Sequence, residues 1–154
     1  MAYIGIDLHR KRSQVAALDE QDELLFTRRV PTRPAELFEV LASVGEAPVE
    51  VVFEATFGWG WLADLLAEAG IPTHMAHPLA TKAISSARVK NDSVDARTLA
   101  HLLRTNLLPE AWLAPQPARE ARRLVRMRSA SWTPPFPAKG STSHLKSRAD
   151  SQQP

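Results

Sequence analysis

Two aspartates, Asp92 and Asp95, stand three residues apart in KNDSVDARTLAHLL, where apolar residues begin to recur at helical spacing. One acid at such a place caps a helix, because Asp is a favoured N-cap and the helix N-terminus attracts negative charge. With Asp92 as the cap, Asp95 falls at the third helical position and completes a capping box. The alternative is an acidic pocket, since residues i and i+3 share a helix face, and such a pocket needs a cation. Two further acids interrupt apolar runs: Asp7 in AYIGID and Glu54 in VEVVFEA. Each alone reads as a turn or cap residue. If their strands are parallel neighbours, both emerge at one carboxyl edge, where open α/β sheets bind ligands. Four converging carboxylates would raise one another's pKa unless a metal neutralised them. Hard oxygen ligands select Mg²⁺ or Mn²⁺, and taken jointly the four acids favour the metal reading over the capping one.

The elements that must position these acids follow from periodicity. AYIGID (residues 2–7), SQVAALDE (13–20) and LLFTRRV (24–30) read as three strands in a meander, turned by the acidic cluster at 19–23. Pro34 stands at a first helical position before PAELFEVLASV, which closes near Gly45. VEVVFEA (49–55) has the continuous apolar character of a strand buried on both faces. GWLADLLAEAG then reads as a helix ending at Gly70, and IPTHMAHP as a fifth short strand stopped by Pro78. The order βββαβαβα predicts an α/β fold, a mixed sheet flanked by helices.

The 154 residues, 44% hydrophobic and 23% charged, suit one soluble domain with a core of its own. No apolar run approaches the ~20 residues of a membrane span, and residues 1–10 lack the apolar centre of a signal peptide. A cytoplasmic chain is expected, and the absence of cysteine excludes a disulfide framework and a thiolate zinc site. Charge is divided unevenly: residues 1–118 hold 11 Lys/Arg against 15 Asp/Glu, and residues 119–154 hold 8 against 2. The basic run REARRLVRMR (119–128) suits a polyanion as well as it suits a solvated helix face. Residues 129–154, with six Ser, four Pro and no apolar periodicity, predict a disordered tail. The composition changes abruptly at Arg128.

The stretches YIGIDLHRKRSQVAALD, VVFEATFGWGWLADLL and KNDSVDARTLAHLL together resemble the amino-terminal domain of the DEDD transposases, the insertion-sequence group related to the Piv DNA invertase. The resemblance spans residues 2–128, with three motifs in order. It implies a ribonuclease H-like fold similar to that of the RuvC resolvase. It also implies metal-dependent DNA strand cleavage and transfer, with Asp7, Glu54, Asp92 and Asp95 as the catalytic, metal-binding tetrad. Mg²⁺ or Mn²⁺ would activate an oxygen nucleophile and stabilise the leaving oxygen at a phosphodiester. The implied partners are transposon-end and target DNA, a guide (bridge) RNA and further copies of the chain, with no membrane. Lys90, at the motif's basic position, and Arg122, Arg123 and Arg126 of the basic helix are the expected nucleic-acid contacts. The expected domains are a RuvC-like domain at 1–118, a basic helix at 119–128 that opens a longer helical segment, and a tail at 129–154. The family's second, serine-bearing domain has no counterpart here, so the chain is expected to be truncated and inactive alone.

Two other readings compete. A nucleic-acid-binding module held by the basic helix would leave the acids structural. An actin- or Hsp70-type ATPase shares the glycine-aspartate strand end but expects a glycine-threonine turn where this chain has His9, Arg10 and Lys11. Trp59 and Trp61, after Glu54, are candidates for stacking on bases or for the core.

Overall fold

A computed structural model describes residues 1–56, 58–86 and 95–130. Its strands are β1 (Ala2–Asp7), β2 (Arg12–Leu18), β3 (Leu24–Pro31), β4 (Val49–Glu54) and β5 (Thr73–Ala76). The helices are α1 (Pro34–Ala42), α2 (Gly60–Glu68), α3 (Pro78–Ser86), α4 (Ala96–Arg104) and α5 (Gln116–Ala130). Met1–Arg119 form one compact unit, and the described residues beyond it, 120–130, continue α5.

The five strands form one mixed sheet in the order β3-β2-β1-β4-β5. The first three are antiparallel, because short turns join them. At the β2–β3 turn, the Asp19 carboxylate accepts from the backbone N–H groups of Gln21 and Glu23, and Asp22 takes a positive φ of 72°. Helices α1 and α2 then carry the chain across the sheet, which makes β4 parallel to β1 and β5 parallel to β4. This is the expected mixed sheet flanked by helices.

Alternation along the strands sends successive side chains to opposite faces. On one face Ile4, Ile6, Val51 and Phe53 join Leu37 of α1 and Leu66 of α2 in the larger apolar cluster. On the other, Val52 and Ala76 meet Leu99 and Leu103 of α4. Gly5 lies in the middle of β1 on this second face, where a Cβ would stand 1.9 Å from the carbonyl oxygen of Ala96 and 2.8 Å from the amide nitrogen of Ala100. The missing side chain is what lets α4 lie directly on the sheet.

Three elements differ from the sequence reading. Pro78 does not merely stop a strand: it opens α3, since a proline at the first helical position lacks only an N–H that would have no partner there. The hydroxyl and the amide of Thr81 both donate to the carbonyl of His77 and fasten that first turn. Helix α4 starts at Ala96 with Asp95 as its N-cap, so Asp95 is not the third helical residue of a box capped by Asp92. The basic helix is longer than residues 119–128, running from Gln116 to Ala130 and taking in the first two residues of the expected tail. Residues 131–154 lie outside the described residues, so the expectation of disorder there is not addressed. No helix among the described residues is long and apolar enough to cross a membrane.

Candidate active site

Asp7 ends β1 and Glu54 ends β4, two parallel neighbours whose register runs from Ala2 beside Val49 to Ile6 beside Phe53. One further step sets Asp7 beside Glu54. Both follow a residue of the large cluster, Ile6 and Phe53, and therefore project to the opposite face, the one that α4 covers. The two carboxylates are thus at one edge and on one side of the sheet. Burial raises the pKa of Glu54, and the negative charge of Asp7 raises it further. No protein group among the described residues donates a hydrogen bond to the Glu54 carboxylate, whereas that of Asp7 accepts from His9 Nε2 at 3.0 Å.

The loop after Asp7 is held by hydroxyls from two other elements. Thr56 donates to the carbonyl of Leu8 at 3.3 Å and Thr32 to that of His9 at 2.7 Å. Ser13, fully buried, shares a hydrogen bond of 2.8 Å with the Thr32 hydroxyl. A strand end that would otherwise fray is fixed from β2, from the end of β3 and from the segment after β4. This positions Asp7 and His9 together.

Asp95 reaches the same region from α4. One of its carboxylate oxygens accepts from the Thr98 amide at 2.7 Å, and the second has no hydrogen-bond donor among the described residues. Asp95 and Asp7 line a common cleft of about 410 Å³ between α4 and the exposed face of the β2–β3 hairpin. Arg12, Arg29 and Arg97 line it too. Among the described residues, no group of three or more carboxylate, imidazole or thiol side chains stands close enough to hold a metal ion. Asp92 and Lys90 lie outside the described residues. What the structure brings together is therefore a coupled pair, Asp7 and Glu54, with Asp95 across a cleft from Asp7.

Trp59, Trp61 and Arg119 take structural places. Trp59 stacks on Phe53, with ring centroids 6.1 Å apart, and the guanidinium of Arg119 lies over its indole at 5.6 Å. Arg119 also pairs with Asp64 and donates to the carbonyl of Ala114, so the first arginine of the basic run belongs to the core's rim. Trp61 is partly buried against the same cluster. Arg122, Arg123 and Arg126 are exposed on α5. Two features of the site were not anticipated: Gly5, which a lone glycine in an apolar strand could have announced, and the arginines of the cleft, legible only once hairpin register is known.

The chain matches the model of the IS110-type DEDD transposase family, described as transposase, over residues 4–132. It belongs to that family, and its sheet and helices are those of the family's transposase domain. Family membership associates the fold with phosphodiester chemistry on nucleic acid. Among solved structures the chain is similar to RuvC of Thermus thermophilus, with 14% identity, 72% of this chain and 100% of that one covered, and a TM-score of 0.47. It is also similar to an inorganic polyphosphate/ATP-glucomannokinase from Arthrobacter sp. strain KM, with 23% identity, 60% and 50% covered, and a TM-score of 0.36. Comparison with curated proteins finds no match.

Proposed function

We propose that the Asp7/Glu54 edge is the metal-dependent centre at which this transposase cuts and joins DNA strands. The observation that supports it is the pairing itself: two carboxylates on adjacent parallel strands, on one face, with Glu54 half-buried, without a hydrogen-bond donor among the described residues and repelled by Asp7. A divalent cation relieves that repulsion and satisfies the donorless carboxylate, so the residues suit Mg²⁺ or Mn²⁺. Asp7 and Glu54 would hold it, with Asp95 and Asp92 completing the set. When bound, the ion would polarise a phosphodiester oxygen and lower the pKa of a nucleophile.

The chain's own residues do the rest. Asp7 is aimed by the hydroxyl-braced loop, and His9, bonded to Asp7, is placed to hold or pass a proton at Nε2. The Asp95 cap sets the end of α4 across from Asp7. Lys90 and the exposed Arg122, Arg123 and Arg126 provide positive charge for nucleic acid, in the domain arrangement of a catalytic unit over 1–118 followed by a basic helix. Guide RNA and self-association are part of this reading through the family resemblance.

Calorimetric titration of the full chain with Mn²⁺ tests it. Wild type should bind, Asp7→Asn and Glu54→Gln should each lose at least tenfold in affinity, and His9→Gln should bind nearly as wild type. Equal affinity in all four proteins would refute the metal centre. Nucleic-acid binding with no Mn²⁺ uptake would favour the non-catalytic binding module instead.

A further inference from the structure

The β2–β3 hairpin carries its own cationic row beside the acids. Asp7 pairs with Gln14 of β2, and Gln14 with Arg29 of β3. Glu54, Asp7, Gln14 and Arg29 therefore form one line across four neighbouring strands. Directly paired residues project to the same face, so the whole line faces the α4 side. With strands ~4.8 Å apart, Arg29 stands roughly 10 Å from Asp7 along that line. Arg12 is two residues from Gln14 on β2 and so shares its face. Arg97, in the first turn of α4, forms the opposite wall of the same cleft.

These three arginines differ from others nearby. Arg28 lies over the Phe26 ring and donates to Ser43, Arg33 pairs with Glu36, and Arg104 is tied to Asp22. Arg12, Arg29 and Arg97 are exposed and have no hydrogen-bond, ion-pair or ring partner among the described residues. Three guanidiniums without an ion-pair partner among the described residues line one cleft and outnumber its two carboxylates, Asp7 and Asp95, and nothing in the apolar core or the sheet ladder needs them there. Their planar forks match phosphate oxygens.

We infer that Arg12, Arg29 and Arg97 bind the phosphates flanking the one that Asp7 and Glu54 act on, so that a single DNA strand runs from the acid pair across Gln14 and out over the β2–β3 hairpin. This rests on the Asp7/Glu54 edge being the reaction centre. A cleft of about 410 Å³ holds part of one strand, not a duplex. Gln14, between acid and base, offers both a donor and an acceptor to the strand as it passes.

The test is fluorescence anisotropy with the full chain and a labelled single-stranded 20-nucleotide DNA, over a range of salt, with an RNA of the same sequence as a second probe. Each lost phosphate contact lowers the salt slope by ~0.7 on a single strand, so the triple variant Arg12→Gln, Arg29→Gln, Arg97→Gln should lower it by about 2. The control Arg28→Gln with Arg33→Gln, at two arginines already engaged by Phe26, Ser43 and Glu36, should leave the slope unchanged. All three cleft positions are exposed, and an unchanged thermal melt verifies folding. An unaltered slope in the triple variant overturns the inference, as does a loss confined to the RNA probe. Mn²⁺ titration of the same variant separates the two readings: retained Mn²⁺ binding with an unaltered slope sinks only the strand path. Absence of Mn²⁺ binding in wild type sinks the reaction centre on which the path depends.

Discussion

A Cβ on Gly5 would lie 1.9 Å from the carbonyl oxygen of Ala96, closer than any two such atoms approach. Gly5 is two residues before Asp7, and Ala96 is the residue after Asp95. The spacing between β1 and α4, and with it the approach of Asp95 to Asp7, is therefore set by the absence of one methyl group. Gly5→Ala should force α4 away from the sheet and cost about 3 kcal/mol, at the upper end of ordinary overpacking because backbone is what must move. Urea denaturation measures the loss. Mn²⁺ affinity should fall as well, although no candidate ligand has been changed.

Asp95 has two separable duties. As an N-cap it stabilises α4 through the Thr98 amide, and Asp95→Ala should cost about 1 kcal/mol. Asparagine caps as well as aspartate does, so Asp95→Asn should retain stability within a few tenths of a kcal/mol. If the second oxygen also serves the cation, the same asparagine variant should still lose Mn²⁺ affinity. Matching affinities in Asp95→Asn and wild type would leave Asp95 a cap alone.

Glu54 makes the apo protein sensitive to pH in an unusual direction for a carboxylate. Burial and Asp7 raise its folded-state pKa above the ordinary 4.5. Its protonated form thus stabilises the fold fully below 4.5, and this contribution is lost as pH rises through the folded value. Glu54→Gln should accordingly raise the urea midpoint at about pH 7 in chelator, where like-charge repulsion is removed. The advantage should vanish on acidification below 4.5. A variant no more stable than wild type at neutral pH would contradict it.

Asp22 behaves oppositely. Its carboxylate accepts from His101 Nδ1 at 2.8 Å and from Arg104 Nε at 3.0 Å, tying the β2–β3 turn to α4. The hydrogen bond from His101 is the main cause that lowers its pKa below 3.8, with the charges of His101 and Arg104 adding to it against the opposing effect of burial. That stabilisation is present above 3.8 and is lost as pH falls through the lowered value. Asp22→Asn, which tolerates the positive φ, should cost about 0.5–1 kcal/mol near pH 5, since the pair is partly screened by solvent. Chemical denaturation at descending pH should show the gap closing only below 3.8.

Much of this protein was legible in its residues. AYIGID gives a strand of those same six residues because its apolar positions leave no polar face to solvate, and Pro34 begins α1 because a fixed φ and a missing N–H suit a first helical turn. The three motifs named the family, and the placing of Asp7 and Glu54 at strand ends was readable from the apolar runs they close. Local pattern was a poor guide where two structures satisfy it. Pro78 ends a strand and also starts a helix, and two aspartates three apart both fit a cap, a choice settled for Asp95 by where α4 meets the sheet. What only tertiary structure decided is register and contact. That Gly5 admits α4, that Trp59 is taken up by Phe53 and Arg119, and that Arg12, Arg29 and Arg97 share one cleft depend on which strand lies beside which. Pairing across a sheet joins residues far apart in the chain, and a sequence specifies each partner's side-chain pattern without specifying the neighbour it will face.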